Sequence, residues 1–273
     1  NGHFYDQDGV FVNLGTNRFV EIKGKWYYLN NSGQIIKGSH IINGAQVYFD
    51  ENGIQIKGDF DKENRYYDEH TGKLVTNRFV TVKDKNYFID AKGIPVKGAT
   101  LIDGKEYYFD NKTGAQVKGD FGGNGKYYDT STGALVTNRY VNVDKYWYYV
   151  DAEGKPLKGS QTINNVPVYF DSYYGRQVKG DFGDDGYYYD KDSGALVKGQ
   201  YFNHGGNWYY ADAVGNILKG SQNIDGVQVY FDSYGVQAKD AIAEGYYYDK
   251  DSGARHEVPR NQFIKAGDKL YYF

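Results

Sequence analysis

The sequence predicts an all-β fold, a β-solenoid of tandem β-hairpins in which three hairpins, about 61 residues, make one superhelical turn. Three observations predict it. Paired aromatic residues recur along the whole chain at intervals of about 17 to 24 residues, and this period dominates every other pattern. A longer period lies over it, because Thr16-Asn17-Arg18-Phe19 returns as Thr76-Asn77-Arg78-Phe79 and Thr137-Asn138-Arg139-Tyr140, about every 61 residues. The third is composition: of 273 residues 36 are glycine and 31 tyrosine. The surface available for burial is therefore flat ring surface with wettable edges, not an ordinary aliphatic core.

In chain order the pairs are Tyr27-Tyr28, Tyr48-Phe49, Tyr66-Tyr67, Tyr87-Phe88, Tyr108-Phe109, Tyr127-Tyr128, Tyr148-Tyr149, Tyr169-Phe170, Tyr188-Tyr189, Tyr209-Tyr210, Tyr230-Phe231, Tyr247-Tyr248 and Tyr271-Tyr272. Most are followed by Asp or Asn and a glycine-containing turn such as Asp50-Glu51-Asn52-Gly53, then by a short apolar run such as residues 54–56. That reads as a hairpin closed on this turn by a loop of about four or five residues. Lys198-Gly199-Gln200-Tyr201 and Arg260-Asn261-Gln262-Phe263 carry the long period on in weaker form. A lone hairpin cannot bury its apolar face, so each must stack on its neighbours into a continuous core. The expected organisation is a single domain, 1–273, with turns near 17–77, 78–138, 139–199 and 200–260. Helical spacing is absent, so no helix beyond single turns is expected. The chain opens on Asn1, Gly2 and His3 with no leader and ends at Leu270-Tyr271-Tyr272-Phe273 in a strand without its partner, which reads as a fragment of a longer array.

Alternation along a strand separates the two faces. If Val47, Phe49, Ile54 and Ile56 form the core, Tyr48, Gln55 and Lys57 converge outside. The trio returns as Tyr108, Gln116, Lys118, as Tyr169, Gln177, Lys179 and as Tyr230, Gln237, Lys239, once in each 61-residue unit. A ring, an amide and an ammonium match a sugar, whose C–H face packs on the ring while its hydroxyls find donors and acceptors. Plain solvation of an outer face is the alternative.

Other chemistries fit poorly. With no cysteine there is neither a disulfide framework nor a thiol nucleophile. A net charge of -3 with both signs interspersed gives no stripe for a phosphate backbone, so nucleic acid is not an expected partner. No apolar run is long enough to insert in a membrane. His3, His40, His70, His204 and His256 occupy dissimilar repeat positions, and Asp50, Asp110, Asp171 and Asp232 read as turn-capping carboxylates, so no catalytic residue is assigned. Asp190-Lys191-Asp192-Ser193-Gly194 and Asp249-Lys250-Asp251-Ser252-Gly253 open like calcium loops but misplace the glycine and lack the closing Glu; no metal or cofactor is expected.

On Trp26-Tyr27-Tyr28-Leu29, Leu74-Val75-Thr76-Asn77-Arg78-Phe79 and Gln116-Val117-Lys118-Gly119-Asp120-Phe121, the chain resembles the glucan-binding repeats of glucansucrases, extracellular enzymes of lactic acid bacteria and oral streptococci. The resemblance covers essentially the whole chain. It implies a secreted or cell-surface, non-catalytic domain that binds dextran-like α-glucan, including isomalto-oligosaccharides, with the rest of the parent enzyme in cis. In that family a stacking tyrosine with Gln-x-Lys marks a sugar pocket, which the resemblance carries onto the trios named above. A ring from the adjacent hairpin, Tyr67, Tyr128 or Tyr188, is the alternative stacker. The fourth copy departs, since Gln237-Ala238-Lys239 is followed by Asp240-Ala241-Ile242 instead of Gly-Asp-Phe. Choline-binding modules of cell-wall proteins share the hairpin type but cage an ammonium in rings rich in tryptophan. Here Trp26, Trp147 and Trp208 share one repeat position, and a lysine in the outward set has the wrong charge for that ligand. Attachment through choline or teichoic acid, and a structural spacer or adhesin, are the alternative functions.

Overall fold

The computed structural model describes Val10 and residues 13–273. His3, with Asn1 and Gly2, lies outside the described residues. The chain forms two compact units, Asn1–Thr137 and Asn138–Phe273. Among the described residues there is no helix, and every strand is antiparallel to its neighbour in a two-stranded sheet, except one three-stranded sheet of Ala241–Ala243, Tyr246–Tyr248 and Arg255–His256.

Three hairpin kinds follow one another. The first pairs Arg18–Ile22 with Lys25–Leu29, the second Gly38–Ile42 with Ala45–Phe49, and the third, much shorter, Asp59–Phe60 with Tyr66–Tyr67. The cycle restarts at Arg78–Val82 with Lys85–Ile89, and in the second unit at Arg139–Val143 with Tyr146–Val150. Tandem hairpins are thus as expected, but the turn that closes them is not the one expected. The second hairpin closes on Asn43-Gly44, at φ 50 and 76°, and its counterparts on Asp103-Gly104 and Asp225-Gly226. Two consecutive left-handed residues twist with the strands, and Asn-Gly or Asp-Gly supplies them at least strain. The Asp50 turn instead folds the chain back after the hairpin, for a single bridge between Phe49 and Gln55. Its carboxylate does cap the turn: Asn52 and Ile54 each donate a backbone N–H to Asp50 Oδ1 at 2.8 Å. Asp110, Asp171 and Asp232 accept turn amides in the same way.

Successive hairpins are tied by backbone bonds: the Gln55 N–H donates to Trp26 O at 2.7 Å, Leu74 to Gln46 O at 2.8 Å and Tyr66 to Gly93 O at 2.9 Å. The first and second hairpins lend a carbonyl to the return segment of the next, and the third donates an N–H to the turn that follows the next, which satisfies polar backbone that a two-stranded sheet leaves open. The Thr-Asn-Arg-Phe block is a connector. Asn17, Asn77 and Asn138 stand at φ 50, 51 and 51°, and in the weaker fourth copy Gly199, φ 58°, takes the same conformation. The ring that follows, Phe19, Phe79, Tyr140 or Tyr201, meets Tyr28, Phe88, Tyr149 or Tyr210 edge-on at about 5 Å.

The core occupies both faces of the second hairpin. Val47, Tyr48 and Phe49 are all buried, as are Tyr66 and Tyr67 of the third. Buried tyrosine needs a partner for its hydroxyl, and carboxylates provide it: Tyr67 donates to Asp61 Oδ2 at 3.0 Å, Tyr128 to Glu106 Oε1 at 2.8 Å and Tyr189 to Asp185 Oδ2 at 2.7 Å.

Candidate functional site

The bridge between Phe49 and Gln55 overturns the expected arrangement of faces. Residues opposed across an antiparallel pair share a face, so Gln55 lies on the side of Phe49 while Tyr48 points the other way. Phe109 with Gln116, Phe170 with Gln177 and Phe231 with Gln237 repeat the register. Phe49 pairs with Gln55 and not with Ile54, a register one residue away from the expected one, and such a slip exchanges every side chain between faces. Tyr48 is buried with its ring 6.0 Å from that of Tyr67. Tyr108 and Tyr169 are buried against Gly122 and Gly183, where an added Cβ would come within 2.7 and 2.9 Å of the rings. Asn111 Nδ2 donates to the Tyr108 hydroxyl at 2.9 Å, and the Tyr169 hydroxyl donates to Asp184 at 3.3 Å. Tyr67, Tyr128 and Tyr188 are buried too, Tyr188 stacked on Phe202 at 4.0 Å.

Gln and Lys of each Gln-x-Lys do come together, over the turn that follows the third hairpin. Gln116 Nε2 donates to Thr132 O at 3.2 Å and Gln237 Nε2 to Ser252 O at 3.2 Å, while Gln55 and Gln177 reach Thr71 O and Ser193 O at 3.5 Å. Lys57, Lys179 and Lys239 donate to the preceding carbonyls, His70 O, Asp192 O and Asp251 O, at 3.2, 3.0 and 2.6 Å. The glycine after each turn threonine or serine is required by this approach. At Gly72 and Gly194, both with φ near 70°, a Cβ would sit 2.2 and 2.4 Å from the glutamine Nε2.

The ring beside the lysine is tryptophan, from the first hairpin. Lys57 Nζ stands 4.7 Å from the Trp26 ring centroid, Lys239 5.1 Å from Trp208 and Lys179 6.0 Å from Trp147. The backbone places them: Gln55, Gln177 and Gln237 each donate their N–H to the carbonyl of that same tryptophan. In the second copy Asn86 stands at this position, its carbonyl accepting from the Gln116 N–H at 2.8 Å. The shared repeat position of the three tryptophans was visible in the sequence; their pairing with Gln-x-Lys about 30 residues later was not, because it depends on how consecutive hairpins stack.

Trp147 and Trp208 are 45% and 41% exposed, a large apolar area to leave in water. Each lines an open cleft. That of Trp147, about 400 Å³, is floored by Tyr140, Ile163, Val166 and Val168 and edged by Gln177 and Lys179. That of Trp208, about 440 Å³, carries Tyr230, Gln237, Lys239 and Ile242. In the fourth copy, which departs most in sequence, tyrosine, glutamine and lysine line a common cleft. Such volumes suit a small ligand or a few units of a polymer. The clefts offer ring surface, an ammonium and amide groups, and no carboxylate pair or nucleophile. Among the described residues no cluster of His, Asp or Glu is placed to hold a metal ion. Asp190 Oδ1 accepts the Ser193 N–H and hydroxyl at 2.8 and 2.7 Å, and Asp249 accepts Ser252 likewise, so these loops are capped turns.

A family model described as a choline-binding repeat matches residues 36–79, 80–121, 96–140, 157–201 and 218–257, and one described as a putative cell wall binding repeat matches 17–35 and 199–216. Glucosyltransferase-S of Streptococcus mutans serotype c is 38% identical over 247 residues, 84% of this chain and 17% of that protein. Glucosyltransferase-I of Streptococcus downei is 33% identical over 278 residues, 94% of this chain and again 17% of that protein. The chain thus spans about a sixth of the curated relatives it matches. Among solved structures, the modular autolysin LytC of Streptococcus pneumoniae superposes with a TM-score of 0.50 at 18% identity, over 81% of this chain and 52% of that one, a likeness of fold.

Proposed function

This chain belongs to the choline-binding repeat family, and we propose that it acts as a multivalent α-glucan-binding domain within a longer protein. It is an accessory repeat region, not a catalytic one, consisting of binding repeats that match about 17% of its glucosyltransferase relatives. The observation that carries the reading is the half-exposed tryptophan faced by lysine and glutamine, in an open cleft at Trp147 and at Trp208. A pyranose lays its C–H face on the indole, and its hydroxyls accept from Lys179 or Lys239 and exchange bonds with the glutamine amide. Trp26 with Gln55 and Lys57 supplies the third ring-bearing site. Gln116 and Lys118 have the same backbone frame with Asn86 in place of a ring, which makes theirs the weakest. The tyrosines Tyr48, Tyr108 and Tyr169 support the site from inside, and Tyr230 borders its cleft directly. In this reading each three-hairpin unit, near 17–77, 78–138, 139–199 and 200–260, is one turn of the solenoid and presents one site.

A shallow cleft of this kind binds a short dextran-type oligosaccharide at about 1 mM, roughly 4 kcal/mol. The relatives are glucosyltransferases, which supports a role in holding polymer beside a catalytic domain in cis or anchoring the parent to glucan outside the cell. Substituting Trp26, Trp147 and Trp208 together by Ala tests it: the retardation in dextran-containing native gels is expected to fall sharply. Undiminished retardation of this variant would sink the reading. Choline attachment is the second reading, favoured by the family match and opposed by the lysine already standing at each tryptophan. Retention on an immobilised quaternary amine, released by free choline, would establish it in place of glucan.

A further inference from the structure

The third copy carries an aromatic surface that the clefts do not use. Its Asp171 turn contains Tyr173 and Tyr174, 76% and 54% exposed, their centroids 4.4 Å apart and their planes at 78°. The Arg176 guanidinium lies over two rings at once, 3.8 Å from the Tyr146 centroid and 4.2 Å from that of Tyr174. Arg176 Nε donates to the Tyr148 hydroxyl at 3.4 Å. Among the described residues Arg176 has no carboxylate within ion-pair distance, so the guanidinium edge bearing the Nη donors is left for a ligand. None of this is needed by the fold. The same positions hold Lys25 and Ile54 in the first copy, Lys85 and Ala115 in the second, Asn207 and Val236 in the fourth, and their turns pack without it.

We propose that Tyr146, Tyr173, Tyr174 and Arg176 form a second saccharide-binding platform, distinct from the tryptophan clefts, that takes neutral pyranose units of the same glucan. Tyr146 and Trp147 are adjacent on one strand, as are Arg176 and Gln177 on the return segment, and adjacent residues face opposite ways. The platform therefore lies on the other side of the hairpin from the Trp147 cleft. Flat, exposed ring faces suit the C–H face of a sugar, and a guanidinium held rigid between two rings presents donors in a fixed plane to its hydroxyls. Charge selects the neutral ligand. Asp171 borders the turn, and Asp184 accepts the Ser172 hydroxyl at 2.9 Å, so a polyanion would meet two carboxylates for one guanidinium.

The proposal rests on glucan binding by this chain, and the test separates the two. Isomaltotriose binding to the full chain is followed by NMR chemical-shift titration for four proteins: the unsubstituted chain, the Trp26→Ala/Trp147→Ala/Trp208→Ala variant, the same variant with Tyr174→Ala, and Arg176→Lys alone. Residual binding is expected after the tryptophans are removed, and Tyr174→Ala, at an exposed position, is expected to weaken it about 3- to 10-fold with the unfolding temperature unchanged. Arg176→Lys keeps the charge but loses the planar fork, and is expected to broaden or erase the shifts of the Tyr173-Tyr174 turn. Residual binding indifferent to Tyr174→Ala, or none at all, overturns the platform while leaving the clefts. Binding indifferent to the tryptophans but lost with Tyr174→Ala overturns the clefts and leaves the platform. Preference for polygalacturonate over dextran at this turn overturns the choice of a neutral ligand.

Discussion

Tyr67 is fully buried, yet its hydroxyl finds Asp61, whose carboxylate also accepts Arg65 Nε at 2.8 Å and the Arg65 N–H at 2.9 Å. Removing the hydroxyl leaves a buried carboxylate short of one donor, so Tyr67→Phe is expected to cost about 1–3 kcal/mol. Urea unfolding should show this while isomaltotriose binding stays unchanged, since Tyr67 touches no cleft. The same groups set the response to pH. Burial first, then the neighbouring carboxylate, pushes ionisation of the Tyr67 and Tyr189 hydroxyls well above the ordinary tyrosine range, and burial with the Glu106 bond does so for Tyr128. A group whose pKa is raised by folding contributes stability that is complete below its unfolded value, about 10, and is lost as pH rises beyond it. Unfolding midpoints should therefore hold from pH 7 to about 9 and fall steeply above about 10, and less steeply in Tyr67→Phe; a flat profile to pH 11.5 would contradict the buried hydroxyls. Asp61 behaves oppositely. Burial alone would raise its pKa, but the Arg65 and Tyr67 bonds outweigh that and hold it low, so its contribution is present above about pH 4 and lost below.

At the scale of the hairpin, two substitutions separate frame from site. Phe109 is completely buried, and Phe109→Ala is expected to cost about 3–5 kcal/mol by leaving a cavity that the stacked neighbours cannot close. Asn86→Trp should do the reverse for function. Asn86 already lends its carbonyl to the Gln116 N–H exactly as the tryptophans do to theirs, so an indole there would stand over Lys118 and add a binding equivalent, read as one more isomaltotriose site by titration. No added site would mean that the ring alone does not make the cleft. The hairpin scale is also where the sequence was most and least legible. The two periods announced tandem hairpins, and Asn17, Asn77 and Asn138 marked real connectors because a left-handed connector tolerates few residues besides Asn and Gly. Asn43-Gly44 is a stronger hairpin signal than Asp50-Glu51-Asn52-Gly53, and a four-residue loop after Phe49 pairs it with Ile54, which puts Gln55 on the wrong side; the loop has five residues. A single bridge at Phe49 sets that register, and no periodicity encodes it. The tyrosine–carboxylate pairs were invisible for a different reason: Asp61 and Asp185 come from the hairpin of their tyrosine, whereas Glu106 comes from the one before, so the contact recurs without a recurring motif.

Over the whole molecule, the proposed function has repetition convert weak sites into useful affinity. Each cleft is open, and those of Trp147 and Trp208 enclose only about 400 and 440 Å³, so a single one is expected to hold a polymer weakly. On that proposal a glucan long enough to reach a second cleft would bind it at high effective concentration, a gain of about 10²- to 10⁴-fold without any new contact. The stability of the array follows the same local logic, since each hairpin bonds only to its neighbours in sequence and damage to one cleft leaves the others folded. Affinity should therefore be nearly flat from isomaltotriose to the longest chain that cannot bridge two clefts, and then rise steeply with length. Removing one ring, Trp208→Ala, should leave the short-ligand affinity of the remaining clefts untouched while lowering dextran affinity by at least about tenfold, the loss expected when one of several linked contacts disappears. Calorimetric titration with size-fractionated dextrans checks both halves. If Trp208→Ala lowered short and long ligands by equal factors, the clefts would be acting singly and the repeat would be serving length, not avidity.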